Sequence, residues 1–259
     1  IQDLLTDLRG IEDAIERMPF LGVKGATGTQ ASFLELFDGN AEKVEKLDAA
    51  VALAMGFREP VAVSGQTYSR KIDHRVLCAL ADVGISAHKF ANDLRLLCHM
   101  REVEEPFEKG QVGSSAMAYK RNPMRAERVT ALARHLVVLT QDSAFTACSQ
   151  WLERTLDDSA NKRIAVAEAF LTCDAVLEIM LNLTANLVVN EKVIARNLAR
   201  EMPFMATENI LMKTVKAGGD RQALHERIRI HSMEAAKRMK EGDGVNDLIE
   251  RIAADPAFA

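Results

Sequence analysis

Apolar residues at the start of the chain recur with helical spacing: Ile1, Leu4, Leu5, Leu8, Ile11, Ile15 and Met18 share one face. This predicts an amphipathic helix over residues 2–18, ended by Pro19. Residues 19–33 lose the period and form a Gly/Thr-rich connection. Gly22, Gly25 and Gly28 recur every three residues there, but no Gly-Lys-Ser/Thr follows, which excludes a P-loop. The period returns over 40–56, with Asn40 as a cap and Gly56 as a stop. One long helix is predicted over 71–103 through Ile72, Val76, Leu80, Val83, Phe90, Leu94, Leu97 and Met100. Gly84 inside it costs about 1 kcal/mol relative to Ala.

A loop over about 104–122 follows, then a helix over 123–141. A third long helix is predicted from Asp158 to Val188, with Asp157 or Asp158 as its cap. Beyond Val189 the helices shorten to 191–201, 204–216, 220–241 and 245–253, separated by Gly218-Gly219 and by the turn at Gly242 and Gly244. No segment alternates with a period of two. The pattern therefore predicts an all-α fold in two domains: a long-helix bundle over 1–189 and a smaller helical domain over 190–259. Helices of about thirty residues reach about 45 Å. Their apolar stripes need partners, and other copies of the chain are the natural supply.

Composition agrees with helix packing. The 259 residues are 48% hydrophobic but only 5% aromatic, with one Trp and two Tyr. A net charge of −4 leaves no global nucleic-acid footprint. Cys78, Cys98, Cys148 and Cys173 lie far apart and read as reduced, mostly buried thiols of a cytosolic protein. The six histidines form no spacing suited to a metal. No apolar run is long enough to span a bilayer, and no signal peptide is visible.

Candidate chemistry concentrates in one run, Gly113-Ser114-Ser115-Ala116-Met117-Ala118-Tyr119-Lys120-Arg121-Asn122-Pro123. Pro123 suits the first position of a helix, which puts Asn122 at its N-cap. Cations then sit at a helix N-terminus, where anions are favoured. Lys120, Arg121, Arg125, Arg128 and Arg134 face only Glu127 in that span. The Gly-x-Ser-x-Gly elbow of a hydrolase is absent. Lys120 and the helix end could stabilise a serine alkoxide, or a substrate carboxylate gaining charge as its α-carbon loses a proton. The latter describes elimination beside a carboxylate. An exposed Gly/Ser loop before an ordinary helix is the plainer alternative.

The run resembles the signature of the fumarase/aspartase superfamily, Gly-Ser-Ser-x-Met-Pro-x-Lys-x-Asn-Pro, with Ala118 in place of proline. Further segments at 22–33, 65–71, 104–109, 153–161, 203–209 and 246–251 resemble the adenylosuccinate lyase family within it, its animal form above all. That resemblance implies the long-helix bundle and a homotetramer with sites shared between subunits. It also implies elimination of fumarate from adenylosuccinate to give AMP, and from SAICAR to give AICAR, in purine nucleotide biosynthesis in the cytoplasm. No cofactor or metal is implied, nor any nucleic-acid or membrane partner.

By the same resemblance Ser114 is the catalytic base, and Lys120 and Asn122 hold the reacting carboxylate. Gln66, Arg128, Arg154, Ser159 and Arg163 are the remaining substrate-binding positions. Ser159 and Arg163 lie four apart and share a helix face, so both can reach one phosphate, and an arginine fork suits that group. Taken alone, Gln66 would cap the loop before the helix at 71, and Arg154 would form a surface ion pair with Asp157 or Asp158. The family's general acid is a histidine that lies before residue 1, and none of the six histidines here matches it. The chain opens on Ile1 in mid-period, which together with the resemblance predicts a fragment lacking an N-terminal domain and inactive alone. Two alternatives stand beside this: another superfamily lyase, such as argininosuccinate lyase, and a helical scaffold without activity.

Overall fold

The computed structural model describes the chain except residues 108, 109, 111–115, 118, 153–155, 243 and 259. It divides into two compact units, residues 1–99 with 104–188, and 100–103 with 189–259.

The first unit holds α1 (Gln2–Glu16), α2 (Ala31–Leu36), α3 (Ala41–Ala54), α4 (Lys71–His99), α5 (Met124–Cys148) and α6 (Asp157–Ala185). α5 packs against both α4 and α6, α6 also meets α4, and α1 lies against α4. The core is one apolar stripe from each long helix: Leu77, Leu80 and Val83 of α4, Leu136 and Leu139 of α5, and Ala165, Ala169 and Cys173 of α6. Fully buried alanines at 87, 91, 126 and 133 let the backbones approach. Gly84 belongs to this pattern, because a Cβ there would meet Leu136 Cδ2 at 3.2 Å and Ala133 O at 3.5 Å. Its loss of helix propensity is the counterpart of close α4–α5 packing.

Several boundaries depart from the expected ones, each for a local reason. α4 stops at His99 instead of 103 because Arg101 adopts φ +61°. A short strand, Val103–Glu104 (β1), then pairs with Val188–Val189 (β2). α5 runs to Cys148 instead of 141. The polar residues past 141 bond back within the helix: Ser143 Oγ donates to Thr140 O (2.8 Å) and Thr146 Oγ1 to Asp142 O (3.0 Å). The connection at 19–33 contains α2, entered through Gln30 at φ +59°. Asn40 caps α3 as expected, its Oδ1 accepting from Lys43 N at 3.1 Å.

The connection is fastened by a buried ion pair. Lys24 Nζ lies 2.6 Å from Asp48 Oδ2, and both side chains are almost wholly buried. Gln30 Nε2 also donates to Asp48 Oδ2 (3.2 Å), and Val23 N to its Oδ1 (2.6 Å). Gly22, at φ +91°, is required here, since a Cβ would come within 2.4 Å of that carboxylate.

Not every stripe is buried. α1 has no buried residue, and Leu4, Leu5, Leu8 and Ile15 remain exposed. α6 carries apolar residues beyond its core stripe: on its other side it exposes Ile164, Phe170, Leu171, Leu177 and Leu181, interspersed with Arg163, Asp174 and Glu178. Of the thiols only Cys173 is buried, while Cys78 and Cys98 are half-buried and Cys148 is exposed, which corrects the expectation of mostly buried cysteines.

The second unit contains α7 (Glu191–Met205), α8 (Thr207–Lys216), α9 (Arg221–Glu241) and α10 (Leu248–Ala254). α7 continues through Pro203, so the break with α8 falls at Ala206. Leu211, Leu224, Ile228, Ala235, Leu248 and Ile252 form the core. Asp220 caps α9 through Ala223 N (2.8 Å). Arg251 and Arg238 both bond Asp247, at 2.8 and 2.7 Å, and hold its carboxyl down at about 2. Asp255 accepts from His231 Nε2 (2.8 Å) and Ala257 N (3.0 Å), the histidine bond being the larger cause of its lowered pKa.

Candidate functional site

The start of α5 differs from expectation in a way that bears on anion binding. Pro123 takes the N-cap position and Met124 begins the helix, so Asn122 lies one residue outside and makes no cap bond. The first amides are already occupied. Arg125 N donates to Glu105 Oε2 (3.0 Å) and Ala126 N to Glu105 Oε1 (2.7 Å). Met124 N donates to Asn122 O (2.8 Å). The chain's own carboxylate therefore fills the anion position at this helix end.

Two of the clustered cations are also committed. Arg121 pairs with Glu104 (2.9 Å), its guanidinium 4.8 Å from the Phe107 ring centroid, and Arg125 donates to Pro106 O. Lys120, Asn122 and Arg128 are exposed. Asn122 lines a cleft of about 610 Å³ between the end of α4 and the start of α5, with Arg95, His99 and Glu127. Cys98 also lines it, and burial pushes its thiol pKa up, the Glu105 charge adding to the shift and a hydrogen bond with the Glu105 backbone opposing it.

A second group gathers where α4 and α6 begin. Ser159 and Arg163 meet as the four-residue spacing expects, Arg163 Nη1 donating to Ser159 Oγ at 2.9 Å. Gln66 is exposed on the segment leading into α4. That segment lies against the Gly-rich connection so closely that a Cβ on Gly28 would fall 2.3 Å from Gly65 O. Capping before α4 falls to Ser69, whose Oγ accepts from Lys71 N (3.4 Å), and not to Gln66. Gln150 holds the segment, accepting from Arg70 N (3.0 Å) and donating to Tyr68 O (3.3 Å). Arg70 and Asp158 form an ion pair with side chains 2% and 1% exposed. Asp158 therefore faces the core and does not cap α6, whose N-cap is Leu156. Sequence reasoning missed Glu105, Gln150 and Arg70, whose partners lie 20, 80 and 88 residues away and leave no local signal.

Ser114 and Arg154 lie outside the described residues. The others divide between two regions of one bundle. Lys120, Asn122 and Arg128 stand at the start of α5, whereas Ser159 and Arg163 flank Asn161, which bonds Asp142 and Thr146 near the end of α5, and Gln66 lies on the segment that leads into α4. α5 has 25 residues and is about 37 Å long at about 1.5 Å per residue. The two groups therefore lie more than ten α5 residues apart along the bundle. Among the described residues no group of three or more His, Cys, Asp or Glu could hold a metal ion, and no helix is long and apolar enough to cross a membrane.

Comparison with known proteins agrees with this architecture. A family model described as "Lyase" matches residues 12–138, and one described as "Adenylosuccinate lyase C-terminus" matches 203–259. The chain is 57% identical over its whole length to adenylosuccinate lyase of Saccharomyces cerevisiae and 54% identical to that of Schizosaccharomyces pombe, covering 54% of each. It is 47% identical to that of the animal Schistosoma mansoni, covering 54% of it. The chain thus spans about half the length of the curated relatives it matches. Among solved structures, a fumarate lyase from Mesorhizobium sp. BNC1 superposes with a TM-score of 0.79 at 20% identity, over all of this chain and 54% of that one. The 3-carboxy-cis,cis-muconate lactonizing enzyme of Pseudomonas putida gives 0.78 at 19%, over 99% of this chain and 54% of the other. Long core helices with this packing, together with these matches, give the chain the fold of the fumarase/aspartase superfamily. Within it, the chain belongs to the adenylosuccinate lyase family.

Proposed function

We propose that the enzyme formed by this chain eliminates fumarate from adenylosuccinate to give AMP, and from SAICAR to give AICAR, in purine nucleotide biosynthesis in the cytoplasm. Family membership supports the activity. The separation of the candidate residues along the bundle supports a site built from more than one copy. Ser114 takes the proton from the carbon beside the succinyl carboxylate, and Lys120 and Asn122 stabilise the charge that builds on that carboxylate. The carbon–nitrogen bond then breaks, the carbon–carbon double bond of fumarate forms, and the leaving nitrogen receives a proton from a histidine outside residues 1–259. Arg128, Arg154, Ser159, Arg163 and Gln66 hold the nucleotide, and no cofactor takes part.

The test is fumarate release from adenylosuccinate, SAICAR and argininosuccinate. We expect the whole enzyme to release it from the first two, and residues 1–259 alone to release none, because the acid is missing. Preference for argininosuccinate would replace this assignment with the other superfamily lyase. Robust turnover by residues 1–259 alone would make one of the six histidines the acid and overturn the site map.

The apolar faces of α1 and α6 supply the surface for assembly, and a homotetramer with shared sites is the arrangement proposed. Light scattering should give four copies at micromolar concentration. A fully active monomer would contradict it.

A further inference from the structure

Beneath Ser159 and Arg163 lies a second pair of residues on α6. Asp158 and Lys162 are also four apart, one position earlier in each turn, and they face the segment that carries Gln66. Asp158 holds Arg70. Lys162 Nζ donates to Tyr68 Oη at 3.2 Å and lies 5.1 Å from that ring's centroid. Tyr68 Oη donates in turn to Asp73 Oδ1 at 3.0 Å, and the Arg70 guanidinium lies 4.4 Å from the Tyr68 centroid. Two residues on α6 and two on the Gln66 segment are thus locked together, with Asp73 of α4 as the outer anchor.

This arrangement is poorly suited to stability alone. A buried ion pair seldom outperforms well-packed apolar residues of the same volume, because desolvation offsets the attraction. Here Arg70 Nη1 and Asp158 Oδ1 are buried without a hydrogen-bond partner among the described residues. What charged and hydrogen-bonded pairs add is direction: they fix the rotation of α6 relative to the Gln66 segment, which apolar packing tolerates within wider limits. A binding group needs its support held to about 0.5 Å and 10–20°.

We propose that Tyr68, Arg70, Asp158 and Lys162 are positioning residues that fix Ser159 and Arg163 against the Gln66 segment and thereby set affinity for the substrate's phosphate. The proposal rests on the assignment of Ser159 and Arg163 to that phosphate. Tyr68→Phe is the probe, because it keeps the ring and its cation contacts and removes only the hydroxyl that links Lys162 to Asp73. Steady-state kinetics of the whole enzyme with adenylosuccinate are compared for Tyr68→Phe, Arg163→Gln and the double variant, with AMP as product inhibitor and the melting temperature recorded for each.

We expect Tyr68→Phe to raise KM and the AMP inhibition constant together by about tenfold, with kcat within about twofold. In the Arg163→Gln background the same change should have little further effect, since the group it positions is gone. A lowered melting temperature with unchanged KM would overturn the inference, as would an equal rise of KM in both backgrounds. If Arg163→Gln alone leaves KM and AMP inhibition unchanged, the phosphate assignment itself fails, and the inference fails with it.

Discussion

Ser114→Ala in the whole enzyme is expected to lower turnover by about 10²–10⁴-fold, the range for loss of a general base. Substrate binding and assembly should be spared. In the proposed reaction the hydroxyl acts on a carbon-bound proton, which offers little in the ground state, so the loss should fall on kcat and leave KM near its parent value. The structure narrows what can assist this base. A helix N-terminus could share in stabilising an alkoxide, but at α5 the amides of Arg125 and Ala126 are already bonded to Glu105. In the proposed reaction the electrostatic help then comes from Lys120. Lys120→Met should therefore lower kcat as well, whereas the occupied helix end should contribute little. Fumarate release followed by absorbance, with substrate binding measured separately by calorimetry, checks the first expectation. Near-normal turnover by Ser114→Ala would refute the assignment and move it to Ser115.

Asp48→Ala should produce a large loss of stability. Asp48 receives Lys24, Gln30 and Val23 in a site where the lysine and aspartate side chains are 6% and 5% exposed. Removing one member leaves Lys24 as a buried charge without its partner, which costs about 3–5 kcal/mol. For a unit of this size that lowers the melting temperature by on the order of 10 °C. Asp48→Asn keeps an acceptor for Val23 N but loses the charge, and should fall between parent and alanine variant. Replacing both members with apolar residues, Lys24→Met with Asp48→Leu, should recover most of the loss, because neither charge is then buried. Thermal and denaturant unfolding measure all three. Asp48→Ala within about 1 kcal/mol of the parent would show that the pair is not the fastening it looks to be.

The consequence extends to binding. The connection that Asp48 fastens carries Gly28, which backs Gly65 and so supports the segment with Gln66. A loosened connection should raise KM even where the enzyme remains folded.

The helical period was enough to place the long helices and to exclude a sheet architecture, because helix hydrogen bonds run from residue i to i−4 and are settled within a few positions. Asn40 as the cap of α3 and the meeting of Ser159 with Arg163 were legible for the same reason: each partner lies within one turn. From its residue types the signature run suggested an anion site beside a hydroxyl, with a plain Gly/Ser loop as the alternative. Its geometry was not legible. Asn122 and Pro123 gave no sign that Glu105 would fold back to occupy the start of α5, since that bond spans 20 residues and depends on how the chain returns. Arg70 read as an ordinary cation until the fold set it against Asp158, 88 residues on. The division of the candidate residues between two regions of the bundle was equally hidden, because residue spacing carries no distance once helices turn back on one another. Local sequence determined which helices form and which residue types they carry. Only tertiary packing decided which charges are buried and paired, and where along the bundle each candidate residue stands.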